Sequence, residues 1–238
     1  MILITRPKDQ SKELIKELNS KGIKTIKESL YSIRYYNKKI SYDKNLYYIF
    51  TSIHAVESLI KNKEIYKLKN AKILAIGQKV KDALKIAGCK KILVNSEDSN
   101  SLIKILNKSK YIKCSFIYFC SNVVNEDFFK KLKVNKIDIN RQIIYQTIPR
   151  KCFTKSLINN LKSGKIKAAT FYSYLAAQTF ISLLSNYRMN LLIKDTQIFC
   201  LSKRIAVPFR KKKFAQIYVS PKPNQPSLIV LITKKIIL

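Results

Sequence analysis

Tyr48-Ile-Phe-Thr-Ser-Ile-His-Ala-Val-Glu-Ser-Leu-Ile60 returns 121 positions later as Ala169-Thr-Phe-Tyr-Ser-Tyr-Leu-Ala-Ala-Gln-Thr-Phe-Ile181, with Phe50 over Phe171 and Ser52 over Ser173. Each copy runs from a short β-rich segment through a serine into residues with helical apolar spacing. Two further segments repeat at an offset of 125: Lys72-Ile-Leu-Ala-Ile-Gly77 returns as Gln197-Ile-Phe-Cys-Leu-Ser202, and Ile92-Leu-Val94 as Ile217-Tyr-Val219. Repetition in the same order implies one duplicated strand–helix unit.

Around these copies the same alternation continues. Ile2–Thr5 reads as a strand and Lys8–Ser20 as a helix with Leu14, Ile15 and Leu18 on one face, stopped by Gly22. Further strands are expected near Tyr47–Thr51, Lys72–Ile76, Lys91–Val94, Ser115–Phe119, Lys167–Phe171, Thr196–Leu201 and Gln216–Val219, each followed by a helix. Strands separated by single helices make parallel α/β layers. Two extended stretches, Lys24–Tyr36 and Lys136–Ile148, exceed ordinary strand length and read as connectors. Residues 1–20 and 115–132 also resemble each other, but one precedes its unit and the other follows. The expected plan is therefore a discontinuous domain, 1–33 plus 149–238, and an inserted one, 45–138, joined by connector strands 34–44 and 139–148.

At 238 residues, 47% hydrophobic and 26% charged, the chain has the composition of a folded globular protein of one large or two small domains. No apolar run reaches the roughly 20 residues of a membrane span. The opening Met-Ile-Leu-Ile-Thr-Arg-Pro lacks the layout of a signal peptide, so a cytoplasmic location is expected. The formal charge is +33 and the pI about 10.0. Only seven of the 47 basic residues are arginine, leaving 40 lysines. Readers of phosphate and base edges favour arginine's bidentate fork. Lysine, isoleucine, asparagine and tyrosine all have AT-rich codons, so base-composition drift accounts for much of this charge, which favours anionic partners without naming one.

Cofactors find little to hold them. Cys89, Cys114, Cys120, Cys152 and Cys200 form no C-x-x-C pair, and His54 is the one histidine, so a metal site is not expected; reduced, mostly buried thiols are. With four glycines, neither a phosphate-cradling loop nor a dinucleotide fingerprint can be written.

Several short motifs, taken with the duplicated layout, resemble the uroporphyrinogen-III synthase family over the whole chain. They are Ile2-Leu-Ile-Thr-Arg-Pro7, Phe50-Thr-Ser-x-x-Ala-Val56, Ala75-Ile-Gly77, Tyr145 at the end of the return connector, and Pro223-x-x-x-x-Leu228. The resemblance implies two similar α/β domains on a two-stranded β connector, with the substrate in the cleft between them. It also implies closure of hydroxymethylbilane to uroporphyrinogen III, with inversion of the last ring and loss of water, using no metal or organic cofactor. The chain departs from the family at Gly77-Gln-Lys79-Val80 and Ser202-Lys-Arg204-Ile205, where relatives often carry Gly-x-x-Thr, and at Cys120-Ser121-Asn122, where they carry an Arg-Gly turn. His54 stands where many relatives have a basic residue or histidine, and Tyr172 where they have threonine.

Hydroxymethylbilane carries eight carboxylates, and helix N-termini after parallel strands offer free N–H groups to anions. Thr51, Ser52, Gly77, Ser99, Ser173, Ser202 and Asn224 fall at such turns, where the hydroxyl and amide residues are equally suited to capping their own helices. Arg6, His54, Lys79 and Arg204 could pair with acetate or propionate groups, or could stand as solvated charges. Tyr145 aligns with the family's tyrosine and is the candidate donor to the departing hydroxyl, since a phenol stays protonated at neutral pH.

Rival readings remain. Tyr31-Ser-Ile-Arg-Tyr-Tyr-Asn-Lys-Lys39 interleaves aromatic and basic residues as single-stranded nucleic-acid binders do, which makes a basic nucleic-acid-binding α/β protein the alternative. The spread of the charge and the lack of a recognised nucleic-acid motif count against it. A two-lobe binding module of periplasmic type and a folded but weakly active enzyme are further readings. A monomer is expected, with transient contact to the hydroxymethylbilane synthase that makes the unstable substrate.

Overall fold

The computed structural model describes residues 1–96, 99–111, 113–123 and 126–236, with the backbone alone described at 8–10, 99, 100, 126 and 127. In chain order the elements begin β1 (Ile2–Ile4), α1 (Lys8–Ser20), β2 (Thr25–Lys27), β3 (Tyr31–Tyr35), β4 (Tyr47–Phe50) and α2 (Ile53–Lys61). They continue β5 (Lys72–Ile76), α3 (Gln78–Ile86), β6 (Ile92–Ser96), α4 (Ser99–Leu106), β7 (Ser115–Ser121), α5 (Glu126–Val134) and β8 (Asp138–Pro149). The remainder is α6 (Lys155–Lys162), β9 (Ala168–Phe171), α7 (Tyr174–Asn186), β10 (Gln197–Cys200), α8 (Lys203–Lys211), β11 (Ile217–Val219) and α9 (Gln225–Ile236). The chain divides into a terminal unit, Met1–Ser32 with Ile148–Leu238, and a middle unit, Ile33–Thr147.

The terminal unit carries a parallel sheet in the order β11-β10-β9-β1-β2. The middle unit's sheet runs β3-β8-β7-β4-β5-β6 and is parallel from β8 to β6. Overlaying the repeated segments puts β4, β5 and β6 on β9, β10 and β11. The neighbours β7 and β8 then fall on β1 and β2. Five strands thus share one spatial order in both units, entered at different points by the chain, which accounts for a strand–helix pair that precedes one copy and follows the other.

Strand alternation sends side chains to two helical layers, as doubly covered parallel sheets require. In the terminal unit Leu3, Ala169, Phe171, Ile198 and Cys200 pack under α6, α7 and α8 through Leu161, Phe180 and Phe209. Ile2, Ile4, Ala168 and Phe199 pack on the other face against Leu14 and Leu18 of α1 and Leu228 and Ile232 of α9. The middle unit repeats this with Phe50, Ile73 and Phe119 against α2 and α3 on one side, and Ile49, Leu74, Phe116 and Tyr118 against α4 and α5 on the other.

The connector stretches differ from expectation. Within the first, Thr25–Lys27 is an edge strand of the terminal sheet, paired with β1. In the second, β8 lies beside β3 of the first stretch and also parallel to β7, from Ser115↔Asp138 to Ser121↔Tyr145, so the paired stretches belong to the middle sheet. The length of β8 follows from serving as a full sheet strand before the chain leaves the unit. The register shifts near its end, where Cys120 faces Ile143 and Ser121 faces Tyr145, so that Ile144 is an extra residue. Ile143 and Tyr145 consequently lie on opposite faces, in the layers of α4/α5 and α2/α3 respectively. A bulge re-aims a side chain in this way. The Ile144 carbonyl accepts from Ser58 Oγ of α2 at 2.6 Å and from the Tyr36 amide at 3.0 Å.

Two outcomes follow from this packing. Phe180 is fully buried, with its ring 5.6 Å from Phe153 and 5.2 Å from Phe171, so Phe180→Ala is expected to cost about 3–5 kcal/mol in urea unfolding. Burial pushes the Cys89 thiol up to about 11 and the Cys200 thiol to about 12, and also raises Cys120, whereas Cys152 is exposed. A chromogenic disulfide reagent should therefore label Cys152 first in the native protein and reach those three only on unfolding.

Candidate functional site

In an open parallel sheet, ligands bind beyond the carboxyl ends of the strands, where neighbouring connections leave in opposite directions. That point lies between β1 and β9 in the terminal unit and between β4 and β7 in the middle unit. Arg6, Thr51, Ser52, His54, Tyr145 and Ser173, half of the residues singled out in the sequence, lie at or beside these points.

In the middle unit Thr51 follows β4, and its Oγ1 stands 2.7 Å from the Tyr118 hydroxyl on β7. Burial, outweighing the bond from Thr51, pushes the Tyr118 phenol far above the usual tyrosine range. Ser52 caps α2 by accepting from the His54 amide at 3.2 Å. On the first turn of α2, His54 Nδ1 lies 2.8 Å from Glu57 Oε2, and the Tyr35 hydroxyl donates to the same oxygen at 2.5 Å. The His54 bond is the largest cause holding the Glu57 carboxyl below its usual range. Tyr145, only 6% exposed, sets its ring 5.8 Å from the imidazole, a position that the extra residue Ile144 provides. Its carbonyl accepts from the Asn122 amide at 3.3 Å, while Ser121 Oγ bonds Thr147. Next to this turn Arg141 of β8 lies 4.6 Å over the Phe129 ring, and its charge partly offsets the burial that pushes the Cys120 thiol up.

The terminal unit builds its edge around Arg6. The guanidinium lies 4.2 Å over the Tyr172 ring and donates from Nη1 to Gln225 Oε1 at 2.8 Å. Burial lowers its affinity for the proton and pushes the Tyr172 phenol up to about 12, although the nearby guanidinium pulls that phenol down. Thr5 Oγ1 donates to the Thr170 carbonyl at 2.6 Å across the switch point. Ser173 caps α7 by accepting from the Ala176 amide at 3.1 Å.

The other candidates are more scattered. Gly77 caps α3 with φ +85°, a conformation that glycine adopts without strain, and offers no side chain. Ser202 caps α8 without a side-chain bond, whereas Asn224 Oδ1 accepts from the Ser227 amide at 3.0 Å before α9. Lys79 and Arg204 are exposed in the first turns of α3 and α8, with Arg204 5.2 Å over the Tyr174 ring. Ser99 opens α4, but its side chain lies outside the described residues. Among the described residues no three His, Cys, Asp or Glu side chains gather as metal ligands would, and no helix is long and apolar enough to cross a membrane.

The sequence profile of the family described as uroporphyrinogen-III synthase HemD matches residues 12–230. The chain belongs to the uroporphyrinogen-III synthase family. Membership places this synthase-family chain in tetrapyrrole biosynthesis. Its fold is similar to the crystal structure of uroporphyrinogen-III synthetase from Helicobacter pylori, with TM-score 0.67 and 17% identity over 98% of each chain. A mutant uroporphyrinogen III synthase from the extremely thermophilic bacterium Thermus thermophilus matches with TM-score 0.61 and 12% identity, over 98% of this chain and 97% of that one. Comparison with curated proteins finds no match.

Sequence reasoning misses Tyr118, Tyr35, Glu57 and Gln225 at the two edges. Glu57 alone carried a signal, standing three residues after His54 on one helical face. Tyr118 reaches Thr51 across 67 positions and had none. Tyr118→Phe and Thr51→Val should each cost about 1 kcal/mol in denaturant unfolding, and the double variant less than their sum, with a coupling of about 1 kcal/mol.

Proposed function

We propose that this chain is a uroporphyrinogen-III synthase in the full chemical sense, a lyase that cyclises hydroxymethylbilane with inversion of the last ring and loss of water. The single observation that carries this reading is the placement of Tyr145. The Ile144 bulge turns it from the α4/α5 face onto the α2/α3 face, next to His54 and near the Thr51 turn. The family match over residues 12–230 supports it independently.

The reaction asks little covalent chemistry of the protein. The terminal hydroxyl leaves to give a cationic azafulvene. The last pyrrole attacks it through its already substituted α-carbon to give a spiro intermediate; the bond from that carbon to its original methylene bridge then breaks, and the freed methylene bonds to the pyrrole's unsubstituted α-carbon, which loses its proton to solvent. A phenol at the leaving oxygen lowers the first barrier by donating a hydrogen bond, and that role falls to Tyr145. The unaided bilane also closes, without inversion, so the catalyst must hold one bond-forming geometry in preference to another. Backbone N–H groups at the starts of α2, α3, α7, α8 and α9 suit carboxylates, with Arg6, Lys79 and Arg204 as added cations. The surplus of basic residues, +33 in all, would draw in an octa-anion.

The test is a coupled assay with freshly generated hydroxymethylbilane and chromatography of the oxidised uroporphyrin isomers. Type III product above the protein-free control is expected, with Tyr145→Phe lowering kcat/KM about 100-fold while the protein still folds. Raising ionic strength from low to physiological should lower kcat/KM several-fold. Only type I product at the control rate, from folded protein, overturns the reading; tight, salt-steep retention of nucleic acid by that protein would favour the rival one.

A further inference from the structure

Sequence reasoning gives Arg141 no role, yet the fold brings it to the middle unit's candidate edge. It stands level with Tyr118 in the register of β8 on β7, and its charge acts on the Tyr118 phenol and on the thiol of Cys120, two residues nearer the carboxyl ends. The Tyr118 hydroxyl lies 2.7 Å from Thr51 Oγ1 at the switch point, so the guanidinium shares that edge. The protein gives this charge an aromatic ring but no anion. Cζ lies 4.6 Å from the centre of the Phe129 ring, and Nε is buried without a hydrogen-bond partner. The ion pairs among the described residues, His54 with Glu57 and Lys67 with Glu64, leave it out. A half-buried arginine without a carboxylate costs the fold stability, so its place needs another reason.

The terminal unit points to that reason. Arg6, which follows β1, lies 4.2 Å over the Tyr172 ring at the equivalent edge. Because β7 overlays β1, Cys120 occupies the place of Arg6, and Arg141 reaches it from β8, the counterpart of β2. Each unit thus sets a guanidinium over an aromatic ring at its carboxyl edge, drawn from a different strand. A ring over one face leaves the in-plane N–H groups for an acceptor, and a carboxylate matches two of them at once. We propose that Arg141 is the middle unit's carboxylate-binding residue, taking one acetate or propionate group of the linear tetrapyrrole through its two terminal nitrogens. The ligand rests on the synthase reading; the site rests on the placement of Arg141 against Phe129, Cys120 and the Thr51–Tyr118 pair. Lysine, abundant elsewhere in the chain, does not replace it, since an ammonium is a point charge without the planar fork.

The test compares the full chain with Arg141→Met, Arg141→Lys and Lys133→Gln, the last removing the same charge from an exposed position on α5. In the isomer assay Arg141→Met is expected to raise KM about tenfold with kcat within about twofold, Arg141→Lys to fall between, and Lys133→Gln to match the parent. An arginine that holds the fold together loses stability on replacement, whereas one kept for a ligand does not, so the urea midpoint of Arg141→Met should equal or exceed the parent's. Uroporphyrin III, a stable octacarboxylate, serves as a probe independent of turnover. Its Kd by fluorescence titration should rise about tenfold in Arg141→Met and not in Lys133→Gln. Unchanged KM and probe Kd in Arg141→Met overturn the assignment even if type III product forms. An equal loss in Lys133→Gln assigns the effect to the general field and overturns it too, as does a lowered urea midpoint in Arg141→Met. Folded parent that makes no type III product, but whose probe binding weakens only when Arg141 is replaced, overturns the synthase reading and leaves the carboxylate site standing.

Discussion

A parallel strand cannot be joined to its neighbour by a tight turn; the chain must cross the face of the sheet and begin again from the same end. Each unit obeys this constraint through its five matched strands, and the rest of the architecture follows. The crossovers become helices on both faces, the strands are buried on two sides, and in each unit four of the five matched strands run at their carboxyl ends into a helix N-terminus on one edge. Arg6, Thr51, Ser52 and Ser173 stand on that edge because each closely follows such a strand. Thr51 with Ser52 and Tyr172 with Ser173 are the same two steps of the duplicated segment, taken once in each unit.

What the duplicated segment made legible was this plan. Apolar alternation in short strands and the stop at Gly22 are local signals, and α1 runs from Lys8 to Ser20 as its spacing implies. The displaced strand–helix pair implied that the first strand joins the last ninety residues, whereas the strand order itself is seen only in the structure. The role of β8 was not legible. A twelve-residue extended run reads alike whether it pairs with β7 or bridges two bodies, because pairing is decided by a distant partner. The site divides along the same line. Helix caps such as Ser52 and Ser173 depend on nearest neighbours and could be read; Thr51 with Tyr118, and Arg6 with Gln225, depend on strand order and could not.

The heavy positive charge and the candidate edges are largely separate matters. Most lysines are surface residues, in keeping with drift toward AT-rich codons, and their contribution is a long-range field. The guanidiniums placed at the edges are a different group. Arg6 is stacked and bridged, and Arg141 lies over Phe129 with its Nε buried and unpartnered. In register, Cys120 of β7 stands where Arg6 follows β1, so the middle unit draws a guanidinium to that place from the adjacent strand.

Ile144 gives the end of β8 an odd count. Along a strand, direction alternates with every residue, so a single insertion or deletion before Tyr145 would exchange the two faces for everything that follows, and no substitution could restore them. The bulge makes chain length at this point a constraint in its own right, fixed by Ser58 and the Tyr36 amide on one carbonyl. A chain free to drift in composition toward lysine and isoleucine is thus held to strict arithmetic here. Side chains along β8 can change with little consequence for the aim of Tyr145, but their number cannot.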